Sequence, residues 1–348
     1  MNEPLRPFTL GEILDRTAQL YRARFLVFLG ISLVPTGVTL ALAFVVALFV
    51  GWWSWSGAAS VSAEAGYVLV AVFSIVVALV ALPILLAAMA LAAAAMTHAV
   101  SRVYLGETIT IRDAYKTVWR RGWRYGWLAI LQAFFIFIAP MIVWTVLVIL
   151  ASVLAALAAK AGMGSIAGGF LVGLITVLAI IALVGYFIWM GLRLSLAFPA
   201  CVVEQSTAWS AVKRSARLSK STKGRIFLLF LLVMALGWLL SMAVTIPMTI
   251  MIALIPAMNG AQHTQAASIV LVLVMYGAAF GVQALVKPVY GIALTLFYYD
   301  QRIRNEGFDI EWMMMQAGMV PAPQTAPEPA SWLPAAQTKS LTPAGEAE

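Results

Sequence analysis

The length of its charge-free stretches constrains this chain most. No Asp, Glu, Lys or Arg occurs from Phe25 to Ala63, Ala65 to Ser101, Tyr125 to Ala159, Ala161 to Leu192 or Ile226 to Val286. About 20 apolar residues cross the hydrocarbon core of a bilayer, so each stretch predicts a membrane span and the last predicts two. Composition agrees: 63% of the 348 residues are hydrophobic and 10% are charged, where soluble domains carry about 25% charged residues. The expectation is an all-α integral membrane protein of about six transmembrane helices, at 25–52, 67–99, 126–157, 166–192, 226–257 and 267–299.

The net charge of +8 is explained by topology rather than by nucleic acid. Basic residues gather before the first span (Arg6, Arg16, Arg22, Arg24) and between spans two and three (Arg102, Arg112, Lys116, Arg120, Arg121, Arg124). A third group surrounds the connection from span four to five (Arg193, Lys213, Arg214, Arg217, Lys220, Lys223, Arg225). By the positive-inside rule both termini and both basic loops are cytoplasmic, and Trp52, Trp53 and Trp55 lie at the outer interface. The 24 residues before the first span and the length of that span do not fit a signal peptide, so no cleavage is expected. Cys201, the single cysteine, forms no intrachain disulfide and reads as a small apolar filler.

The spans pair into three hairpins, each preceded by a stretch with the pattern of an amphipathic helix resting on the membrane surface. The first opens on Thr9-Leu10-Gly11-Glu12, a capping-box spacing. Leu14, Ala18, Tyr21 and Phe25 then share one face, opposite Asp15, Arg16, Gln19 and Arg22. The second opens at Thr110 with Asp113 in the capping position, and the third near Thr207. Arg16-Thr17-Ala18-Gln19-Leu20 aligns with Arg214-Ser215-Ala216-Arg217-Leu218, and Pro35, Pro140 and Pro247 recur in the first helix of each hairpin. This predicts a multi-pass membrane domain over 1–312, with a three-copy repeat at about 9–100, 110–205 and 207–312. The Pro- and Ala-rich segment 313–348 is expected to be a disordered cytoplasmic tail.

Two ends and a central segment carry a family resemblance. Phe8-Thr9-Leu10-Gly11-Glu12-Ile13-Leu14-Asp15-Arg16 with Leu20-Tyr21-Arg22, Phe198-Pro199-Ala200-Cys201-Val202-Val203-Glu204, and Tyr298-Tyr299-Asp300-Gln301-Arg302-Ile303-Arg304-Asn305-Glu306-Gly307-Phe308-Asp309 resemble the glycerophosphoryl diester phosphodiesterase membrane domain. The resemblance covers residues 7 to 311. It implies a multi-pass domain of the bacterial cytoplasmic membrane that some proteins fuse to a phosphodiesterase domain. This chain has no room for that hydrolytic domain, and the resemblance supplies no catalytic residues.

The residues themselves point away from an enzyme. The two histidines, His98 and His263, fall on opposite sides of the expected membrane, and no phosphate-binding loop, paired cysteines or Gly-x-Ser-x-Gly elbow occurs. No catalytic, metal or cofactor site is therefore expected. Gly162, Gly164, Gly168, Gly169 and Gly173 read as an external turn leading into a closely packed helix. Two charges stand out because burying a charge in lipid is costly: Lys287, beside Pro288 inside the last span, and Arg193 at the end of span four. Arg16, Arg22, Arg120, Arg121, Lys213, Arg214 and Arg217 are the basic residues expected to face anionic lipids. The function expected is that of a non-enzymatic scaffold or accessory component, with membrane lipids and a membrane protein as partners. The alternative is a small transporter or lipid-translocating protein.

Overall fold

The computed structural model describes residues 8–55, 63–104, 106–160, 165–220, 222–259 and 264–307. The expected tail at 313–348, Asp309, His263, Gly162 and Gly164 lie outside the described residues, as do the side chains of Trp52, Trp53 and Trp55. The elements are α1 (Leu10–Ala23), α2 (Phe25–Trp55), α3 (Ala63–Tyr104), α4 (Ile111–Trp119) and α5 (Gly122–Ala133). A π-helical turn (Phe134–Ile138) joins α5 to α6 (Ala139–Lys160). Then come α7 (Ser165–Leu194), α8 (Ala197–Val203), α9 (Ala208–Leu218), α10 (Lys223–Asn259) and α11 (Thr264–Glu306). No strand occurs among the described residues. Six helices are long and apolar enough to span a membrane, and the chain is an all-α, multi-pass membrane protein.

The long helices pack as three hairpins: α2 on α3, α6 on α7, and α10 on α11. A short helix leads each hairpin, and each begins on a threonine whose hydroxyl accepts an otherwise unpaired backbone N–H. Thr9 caps α1 through Glu12 N–H, Thr110 caps α4 through Asp113 N–H, and Thr207 caps α9 through Ser210 N–H. At Thr9 the box is complete, since the Glu12 carboxylate accepts the Thr9 N–H at 2.7 Å. Each hairpin is followed by a residue in the left-handed region: Gly106, Gln205 and Gly307.

The three short helices do not pack chiefly on the hairpins they lead. α4 packs on α3 and α2, the hairpin before it, and α9 packs on α5, α7 and α8, again the hairpin before it. α1 packs along α11, the second helix of the last hairpin, with Phe8 N–H donating to Asp300 and Tyr21 hydroxyl donating to Leu285 O. Leu10 and Leu14 of α1 meet Leu229, Val233 and Ala293 of the last hairpin. The ring of contacts thus closes from first element to last. What covers the inner faces of these helices is protein, for Ile13, Thr17 and Leu20, then Ala114 and Val118, then Ala211, Val212 and Ser215 are all buried.

The core lies at one end only. Phe28, Ile31, Ala94, Ala99, Leu128, Leu196, Ile226, Phe297 and Tyr298 are buried there among the short helices. Toward the other end the hairpins bare their side chains, as at Leu79, Leu82, Val143, Val146, Ile181 and Ile250. A helix apolar on every side and unburied by protein is matched to a lipid solvent.

Prolines inside these helices free carbonyls, and neighbours use them. Pro35 has no N–H for Ile31 O, which instead accepts the Tyr115 hydroxyl at 2.8 Å. In the π turn Ala139 N–H reaches back five residues to Phe134 O, so Pro140 strands Phe135 O, which accepts the Tyr186 hydroxyl at 2.9 Å. Burial of Tyr115 pushes its phenol pKa up from the ordinary value.

Three features depart from the sequence reading. The helices outrun the expected spans, with α3 continuing to Tyr104 and α11 to Glu306, because their polar last turns are packed in the compact end. The central segment forms a separate helix, α8, after a break at Ser195 and Leu196. The freed carbonyls at that break are all met: Leu192 O by Ser195, Arg193 O by Ser215, and Leu194 O by Gln132. Finally, Gly169 and Gly173 have no described atom within 4 Å of the position of an added Cβ, so among the described residues no helix approaches closely there. The close approaches are at Gly291, where a Cβ would lie 2.7 Å from Met96 Cγ, and at Gly30 against Ile111.

Candidate functional site

The three segments singled out in the sequence converge at the compact end. Asp300 of α11 is fully buried. It accepts from Phe8 N–H at 2.7 Å and Arg304 Nε at 3.0 Å, and pairs with Arg225 at 3.5 Å. Arg225 and Arg304 also donate to Phe8 O, at 2.9 Å and 2.6 Å, so both polar groups of that peptide position are held. Three chain segments meet here: the approach to α1, the start of α10 and the end of α11. A buried carboxylate needs this many donors to be tolerated.

Glu204, just after α8, forms the second node. Its Oε1 accepts from Arg214 Nε at 2.8 Å and from the Tyr298 hydroxyl at 2.5 Å. Arg214 continues to Glu306, which also pairs with Arg302. Desolvation lowers the Arg214 pKa, but the hydrogen bonds it donates to Glu306 and Glu204 outweigh it and raise the value. Arg102 and Glu107 close the end of α3 in the same manner.

The predicted site residues divide accordingly. Arg214, expected to face lipid, is instead half-buried with its guanidinium between two carboxylates, so its charge is committed to the protein. Arg22, Arg120, Lys213 and Arg217 are exposed, while Arg16 and Arg121 are half-buried; Arg16 donates to Gln19 at 3.2 Å and Lys213 lies 5.5 Å from the Trp209 ring. Lys287 is exposed on α11 and makes no hydrogen bond or ion pair with another described residue. Gln283 and Tyr276 precede it by four and eleven residues on the same face, and both are exposed. Arg193 lies 5.1 Å from the centre of the Trp189 ring. The structure therefore does not bring Lys287 and Arg193 into one described cluster.

Asp300, Arg302, Arg304, Glu306 and Asp309 read in the sequence as a mixed-charge segment that pairs locally or with the basic loops, and its described members form both kinds of pair. The signal for Asp300 was present, as an acid four residues before Arg304. Sequence reasoning missed Glu204 and the tyrosines that meet stranded carbonyls. Nothing in the sequence pairs Glu204 with Tyr298, 94 residues away. Among the described residues no group of His, Cys, Asp and Glu is arranged to hold a metal ion. No family model matches this chain, and no curated protein or solved structure does so.

Proposed function

We propose that this chain is a non-enzymatic scaffold or accessory component of the bacterial cytoplasmic membrane, with both ends cytoplasmic, associating with anionic lipids and a membrane-protein partner. The observation that carries the proposal is the division of the molecule. One end is a paired, closed junction; at the other, three hairpins present apolar faces that are exposed among the described residues. Uncovered apolar faces are where lipid or partner helices pack. The family resemblance belongs to the same proposal, supported by the meeting of all three resembling segments at Asp300 and Glu204.

The test is native mass spectrometry of the protein extracted into native nanodiscs. A protein partner retained at fixed stoichiometry is the expected result. Retention of no protein partner under conditions that preserve the fold overturns the scaffold. Lys287 favours a second reading, the small transporter or lipid-translocating protein, because an unpaired cation on a span is where a polar cargo would be met. On the scaffold reading Lys287→Met leaves abundance and partner retention unchanged; normal abundance with lost cellular function favours the transporter.

A further inference from the structure

The carboxylates of the compact end are already matched: Glu107 with Arg102, Glu204 with Arg214, Asp300 with Arg225 and Arg304, and Glu306 with Arg214 and Arg302. Two cations remain where α7 approaches the start of α10. The Arg193 guanidinium lies 5.1 Å from the Trp189 ring centre, and the Lys223 ammonium lies 5.2 Å from that same centre. Neither side chain has an ion pair or hydrogen bond with another described residue.

Their positions are fixed by the fold. The Arg193 carbonyl accepts the Ser215 hydroxyl at 2.8 Å and that of Ser219 at 3.4 Å, and both serines are buried. Lys223 is the first residue of α10, where the helix dipole adds positive potential. Trp189 stacks near Tyr186, at 6.2 Å, whose hydroxyl is itself anchored on Phe135 O. Two cations drawn to one indole repel each other, and an anion between them removes that repulsion.

We propose that Arg193, Lys223 and Trp189 form a headgroup site for an anionic phospholipid, its phosphate held by the two cations. This deepens the lipid association proposed above and rests on it. A lipid rather than free phosphate is the occupant because Trp189 is 43% exposed and apolar side chains continue from the cations along both helices. Leu178, eleven residues before Trp189 on the same face of α7, and Phe227, one turn into α10 from Lys223, are exposed and suit an acyl chain. Indole rings favour this boundary between headgroup and hydrocarbon.

The experiment uses the full chain in nanodiscs containing equal phosphatidylcholine and phosphatidylglycerol, with retained lipid read by native mass spectrometry. The wild type retains phosphatidylglycerol selectively, and Arg193→Gln with Lys223→Gln lowers that retention by about tenfold. Arg112→Gln with Lys116→Gln removes the same charge at exposed positions elsewhere and leaves retention unchanged. Trp189→Leu keeps both cations and still weakens retention, which covers misfolding of the double variant. Equal loss in both double variants, or equal retention of both lipids, overturns the site. Displacement of the lipid by inorganic phosphate overturns its assignment to a lipid. A protein partner that stays bound to the Arg193 and Lys223 variant separates failure of this site from failure of the scaffold reading.

Discussion

At the scale of single residues, the molecule is held by groups that answer a specific unpaired neighbour. Ile31 O and Phe135 O lose their helical donors to Pro35 and Pro140, and Tyr115 and Tyr186 replace them. Tyr115→Phe and Tyr186→Phe should each lower stability by about 1 kcal/mol, since an orphaned carbonyl costs roughly a hydrogen bond. Tyr21→Phe should cost less, because Leu285 O precedes a residue four on that keeps its own N–H and the bond is exposed. Thermal unfolding of the variants in one mild detergent checks the order. Asp300→Asn removes the charge that faces Arg225 and Arg304. Both arginines are partly exposed, so solvent screens part of the loss and a decrease of about 2 kcal/mol is expected. The same thermal assay reads it, and no change would show that Asp300 is dispensable. Cys201 is 1% exposed, so a membrane-impermeant maleimide should leave the folded protein unlabelled and react only on unfolding. Of these residues the sequence exposed types without partners. Asp300 was legible as part of a mixed-charge segment, whereas Tyr115 with Ile31 joins positions 84 apart and no local pattern encodes that.

At the scale of elements, beginnings were more legible than ends. Thr9, Thr110 and Thr207 announce their helices because an N-cap is a local event, completed within three residues. The break between α7 and α8 is not local. It depends on Gln132, Ser215 and Ser219 arriving from other elements to take the freed carbonyls, so the sequence, which ends the span at Arg193, does not announce a second helix at Ala197. The π turn was hidden for the same reason, since only Tyr186 makes the extra residue tolerable. Close helix crossings offer a prediction at this scale. A methyl group added at Gly291 meets Met96 in the middle of its side chain, whereas at Gly30 it meets chiefly the terminal carbon of Ile111. Gly291→Ala should therefore destabilise by about 1–3 kcal/mol and Gly30→Ala by less. Adding Met96→Ala to Gly291→Ala should recover part of the loss in the thermal assay; no recovery would place the strain elsewhere.

At the scale of the whole molecule, the six spans were legible because lipid demands long apolar stretches and the chain contains them without ambiguity. The arrangement of the hairpins was not, since apolar faces of similar composition do not specify which neighbour they meet. Topology makes a direct prediction. In a Cys201→Ala background, Arg120→Cys and Lys160→Cys place exposed thiols at opposite ends of the α5–α6 span. Labelling of intact cells with an impermeant reagent should modify Lys160→Cys and spare Arg120→Cys. The reverse pattern would invert the proposed orientation.

The closed ring of contacts sets an order of assembly. Synthesis delivers α1 first, yet the groups that hold it, Asp300, Arg225, Leu229 and Ala293, are delivered by the last hairpin. Through most of translation α1 therefore has an apolar face and no protein to cover it. The bilayer surface beside the ribosome is the medium in which such a helix can wait. α1 thus leaves the ribosome well before its docking site does, and a nascent chain truncated before α10 keeps α1 available to lipid or to another protein.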